Sequence, residues 1–169
     1  GIAIHVRAGE TLLFNLHLVN DAAVPVSGFS AIQVQTVDPG IVTAEAGMQL
    51  AGTFLINIPS DGLLHTAAGA CFATDELLFA VQPRMHSKGV HSLLYLRDLP
   101  PNQTTTILDA DYSVDAQVIH PLATMVPTAN KEIFSTCFYI NTRGSTATYG
   151  ESSTRENCFM GLYETPPPP

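Results

Sequence analysis

Residues 134–163, FSTCFYINTRGSTATYGESSTRENCFMGLY, constrain the fold most. Two apolar runs, each holding one cysteine, flank a polar loop at 141–156. The runs alternate or nearly so, which suits strands. The Gly, Ser and Thr of the loop suit an exposed connection. A bond between Cys137 and Cys158 would close this loop at its base, contributing ~3 kcal/mol through the unfolded chain's entropy. Three is an odd cysteine count, and three buried thiols is the other reading of Cys71, Cys137 and Cys158.

The 169 residues suffice for one domain, or for one domain and part of a neighbour. With 46% hydrophobic residues the chain can bury a substantial core, while charged residues are only 13%. Low charge with many Thr and Val suits an all-β extracellular protein better than a cytosolic helical one. A net charge of −8, with seven Lys and Arg, argues against nucleic acid and against an anionic membrane surface. No apolar run approaches the length of a membrane span.

Strand patterns separated by Gly and Pro recur along the chain. Residues 1–7 and 11–19 flank Ala8-Gly9-Glu10 and predict a β-hairpin. If it closes there, His5 and His17 share a face but stand roughly 13 Å apart, too far to bind one metal. Residues 28–37 predict another strand, and Pro39-Gly40 lies in a linker at 38–46. Strands follow at 47–59, 63–73, 76–83, 90–97 and 104–110. On the second of these His65, Ala67, Gly69 and Cys71 share a face, and small residues on both faces imply close sheet packing or close approach of another chain. Asn102-Gln103-Thr104 is an N-glycosylation triplet, a weak signal by itself. The terminal Thr165-Pro166-Pro167-Pro168-Pro169 favours polyproline II and predicts the start of a spacer. About eight to ten short strands indicate an antiparallel sandwich or jelly roll.

Three segments also resemble a known family. Cys137-Phe138-Tyr139, the loop, and Gly150-Glu151-Ser152-Ser153-Thr154-Arg155-Glu156-Asn157-Cys158 are similar to the last segment of the copper type II, ascorbate-dependent monooxygenases. Those include peptidylglycine α-hydroxylating and dopamine β-monooxygenase. Residues 47–59, with a Gly-Met strand and Ile58-Pro59, resemble the opening of that family's second domain. Pro83-Arg84-Met85-His86-Ser87-Lys88-Gly89 resembles its Pro-His-Met-His-x-x-Gly. Leu16-His17-x-x-Asn20 resembles a strand near the end of its first domain.

The resemblance implies an all-β, antiparallel jelly-roll-like sandwich at 39–165. Residues 1–38 would then be the end of a preceding similar domain that contributes a few strands, and 166–169 the start of a proline-rich linker. It implies a Cys137–Cys158 disulfide, with Cys71 free or bonded outside this chain. It places the family's oxygen-activating copper ligands, two histidines and a methionine, at Arg84, His86 and Asn157. His17 falls on a ligand of the other copper site, whose His-His pair this chain lacks. Two imidazoles and a thioether suit copper because soft ligands stabilise Cu(I). A guanidinium cannot ligate a metal, and one imidazole beside an amide is a weak copper site. Met85 should point away from His86, Met160 lies on a shifted register, and His91 and His120 are unplaced.

The expectation is therefore a non-catalytic extracellular, cell-surface or periplasmic module used for binding or assembly. It would need no cofactor, and its partners would be other protein chains or copies of itself. A copper monooxygenase fragment with an altered metal site is the alternative, with copper as its cofactor. A carbohydrate-binding sandwich is a third reading, weakened by the absence of Trp. Asp109 and Asp111 share a strand face and read as solvated acids.

Overall fold

The protein is described by a computed structural model covering all residues except Asn15, His17, Val19, Asp21, Pro101, Arg143, Pro168 and Pro169. Its strands are β1 (Ile2–Ile4), β2 (Ala44–Thr53), β3 (Asn57–Ile58), β4 (Leu64–Phe72), β5 (Leu77–Arg84) and β6 (Gly89–Asp98). They continue with β7 (Thr104–Asp111), β8 (His120–Pro127), β9 (Lys131–Ile140), β10 (Ala147–Thr148) and β11 (Cys158–Thr165). One sheet runs β1-β2-β11-β5-β8, a second runs β4-β9-β6-β7, and β10 pairs with β3. Apart from β1, eight strands make two four-stranded antiparallel layers in jelly-roll order. The fold is the expected all-β sandwich. Among the described residues no helix is long and apolar enough to cross a membrane.

Strand alternation builds the interior. Cys158, Met160, Leu162 and Glu164 of β11 are buried, as are Ile133, Ser135, Cys137 and Tyr139 of β9. Leu78, Val81, Leu94, Leu96, Ile133 and Met160 belong to one core cluster, and Met85, Cys137, Tyr139 and Cys158 to another around the disulfide. A register shift in the β5–β8 pairing falls between Leu78 and Ala80, so Leu78 and Val81 are both buried despite their odd spacing. The small residues of β4 have the predicted use. A Cβ at Gly69 would sit 2.2 Å from the carbonyl oxygen of Gly52, so the two sheets meet there backbone to backbone.

The N-terminal expectations need correction. Residues 1–7 form no hairpin; β1 instead pairs in parallel with Ala44, Glu45 and Ala46 of β2. Among the described residues of 5–38 there is no strand, neither at 11–19 nor at 28–37. All described residues from 4 to 41 are exposed, including Leu13, Leu18 and Phe29. The strand pattern is present, but among the described residues no sheet pairs with it to take its backbone groups or cover its apolar side chains. His17 lies outside the described residues. His5, which is exposed, pairs with Glu45 at 3.2 Å.

Candidate functional site

The disulfide, the turn after β5 and the loop before β11 come together at one end of the sandwich. Cys137 and Cys158 are bonded, with Cα atoms 5.7 Å apart. This ties β9 to β11 across the two sheets. Cys71 is free and exposed.

The turn at 86–89 is held from several sides. Gly89 N–H donates to the His86 carbonyl at 3.2 Å. A Cβ on Gly89 would come within 2.8 Å of Met85 Sδ, so a larger residue would displace that buried side chain. Tyr112 Oη accepts from Met85 N–H at 3.1 Å and donates to Met85 O at 2.5 Å.

Glu156 completes the support. It is fully buried, and its carboxylate accepts from His86 N–H at 2.8 Å and from Lys88 N–H at 2.9 Å. Burial pushes its pKa up, and the two backbone donors pull the other way. Its own N–H donates to Thr148 O, and its carbonyl accepts from Gly150 N–H. Tyr139 Oη donates to Asn157 O at 2.6 Å, and burial raises the pKa of that phenol. Thus one loop residue satisfies the turn, and one β9 side chain satisfies the loop.

His86 and Asn157, placed at one site by the resemblance, do meet. His86 Nδ1 lies 2.9 Å from Arg155 O, and Nε2 lies 3.0 Å from Asn157 Nδ2. A carbonyl can only accept, so Nδ1 carries the proton in the neutral ring. Nε2 is then the acceptor, and the amide donates to it. Asn157 Oδ1 is buried without a partner among the described residues. Arg84 turns elsewhere: its guanidinium lies 3.3 Å from Glu151, whose other oxygen accepts from Tyr149 Oη at 3.3 Å. Arg84, Glu151, Tyr149, Phe54, Phe159, Leu50 and Gly52 line a shallow depression of about 500 Å³.

Copper does not fit these residues as they stand. Nε2, the nitrogen free to bind metal, is taken by the Asn157 amide, and the neighbouring Arg84 position carries a permanent cation. Met85 and Met160 are buried in separate core clusters. His120 lies on β8, opposite Val81. Among the described residues, no three His, Cys, Asp or Glu side chains group where they could hold a metal.

Two features escaped the sequence reading. His91 lies between two carboxylates, with Nδ1 2.9 Å from Asp111 and Nε2 2.7 Å from Asp109. Its pKa is raised chiefly by Asp111, with burial opposing and Asp109 adding. The i, i+2 acids were legible in sequence, but their cross-strand histidine needed the register of β6 on β7. The clasp by Glu156 gave no signal of its own, although the residue falls within the family-like motif. Asn102 is exposed at the turn before β7 with φ of 66°, a conformation asparagine tolerates well.

No family model and no curated protein matches this chain. Among solved structures it is similar to infectious bursal disease virus of the Gt strain, at 10% identity over 79% of this chain and 42% of that one, TM-score 0.28. The Gx strain gives 12% identity, the same coverages and TM-score 0.29. The VP2 subviral particle of that virus gives 14% identity, again over 79% and 42%, and TM-score 0.27. The chain spans less than half the length of these structures. At such TM-scores the likeness bears on no functional question.

Proposed function

We propose that this chain is an extracellular β-sandwich module resembling the second domain of the copper type II monooxygenases, and that it binds or assembles rather than catalyses. The observation that carries the reading is the Asn157 amide on His86 Nε2 at 3.0 Å. A hydrogen-bonding amide takes the imidazole nitrogen that oxygen chemistry would give to copper, and Arg84 stands where a second imidazole would be needed. The buried disulfide favours an oxidising compartment.

Uncovered apolar side chains favour protein partners, either other chains or copies of itself. On the outer side of β4, an edge strand, Leu64 and Phe72 are exposed. Such an edge offers unpaired backbone groups to another strand. Metal analysis of the purified protein after incubation with copper tests the reading. The expected result is no stoichiometric copper. One copper per chain, lost in His86→Ala, would instead make it a monooxygenase fragment with a rebuilt site.

A further inference from the structure

At the opposite end of the β5 and β11 ladders, two glutamates lie inside the sandwich. Glu164 on β11 is fully buried and Glu76, just before β5, is 5% exposed. The β5–β11 register pairs Glu164 with Leu78, two residues after Glu76, which puts both acids on the inner face. Glu76 is fixed through its backbone: its N–H donates to Thr128 Oγ1 at 3.1 Å, and its carbonyl lies 2.9 Å from the same hydroxyl. Glu164 Oε2 is 2.5 Å from Gln49 Nε2 on β2. The remaining atoms carry the inference: Glu164 Oε1 and Glu76 Oε2 are both buried without a partner among the described residues.

An ionised carboxylate cannot remain buried at Glu164 without a counter-charge. Among the described residues no cation pairs with Glu164 or Glu76. On the other sheet Arg97 pairs with Glu132 and Lys131 with Asp98. The other groups facing Glu164 are the Gln49 amide from β2 and the Cys71 thiol from β4, neither of them a cation.

We propose that the buried Glu164 carboxyl carries a proton, and that losing it loosens the end of the sandwich where β2, β11 and β5 meet. The proton turns the orphan Glu164 oxygen into a donor and removes the charge from the buried carboxyl. Burial drives the Glu164 carboxyl up to about 7, against the Gln49 amide and with help from Glu76. The raised folded-state pKa sets the sign. This stability is fully present below the unfolded value of 4.5 and is lost as pH rises through about 7.

The test compares wild type with Glu164→Gln and Glu76→Gln by thermal unfolding at pH 5 and pH 8. Amide hydrogen exchange, corrected for intrinsic rates, is followed at Gln49, Leu78 and Thr165. In wild type the folding equilibrium should fall by roughly 50-fold between the two pH values through this carboxyl. Exchange at those amides should rise, and both effects should shrink in Glu164→Gln. Carboxyl NMR of wild type guards against a variant that fails to fold, and Glu164 should titrate near neutrality. An unchanged pH dependence in a folded Glu164→Gln, or titration near 4.5, would overturn the proposal. So would millimolar Ca²⁺ that restores wild type at pH 8 but not the variant, because the pair would then be a cation site.

Discussion

The Asn157 amide donates to His86 Nε2 across 3.0 Å while Arg155 O holds the other ring nitrogen at 2.9 Å. Metal-binding histidines are commonly held at one nitrogen by a carbonyl so that the other faces the metal. Here the carbonyl is present, and an amide meets the other nitrogen.

The Glu156 carboxylate accepts from two part-buried backbone donors, at His86 and Lys88. Replacing it with Ala should cost about 1–3 kcal/mol, because both part-buried N–H groups lose their carboxylate acceptor. Glu156→Gln keeps one acceptor oxygen and should cost less than half as much. Chemical denaturation of the three proteins measures both.

Removing the disulfide in Cys137→Ala/Cys158→Ala should lower stability by ~3 kcal/mol. For a domain of this size that is a fall in midpoint of roughly 6–12 °C. The same double variant should still give the far-ultraviolet circular dichroism of a β-protein, because β9 remains paired with β4 and β6.

Gly69→Ala should destabilise by about 1–3 kcal/mol, since its methyl would press on the Gly52 carbonyl from the facing sheet. Ala68→Ser, at the next position of β4 with an exposed side chain, should be near neutral. Thermal unfolding of the pair separates sheet-to-sheet approach from a general intolerance of β4.

His91 has a raised pKa in the folded state, led by its bond to Asp111. Its contribution to stability is thus fully present below 6.5 and lost as pH rises through the higher folded value. The side chains are solvent-accessible, with Asp111 99% exposed, so the effect should stay under ~1 kcal/mol. The stability difference between wild type and His91→Gln should narrow from pH 6 to pH 9.

Much of the sandwich is legible in the sequence because alternation there is satisfied locally. Leu94 and Leu96, or Ile133, Cys137 and Tyr139, are buried as their period-two spacing demands. The segment 11–37 carries an equally good pattern, yet its described residues form no strand, because a pattern records what a strand would bury and not whether a partner lies beside it. The meeting of His86 with Asn157 was legible only through resemblance to a family motif. The buried Glu76 and Glu164 were not, because glutamate reads as surface. Their inward positions come from the pairing of β5 with β11.

Cu(I) titration of wild type beside Arg84→His/Asn157→Met tests most directly whether two substitutions removed the metal site. The account predicts that wild type binds no copper tightly, and that the double variant binds one per chain and loses it on His86→Ala. Tight, His86-dependent copper binding by wild type would contradict it, as would a folded double variant that binds none.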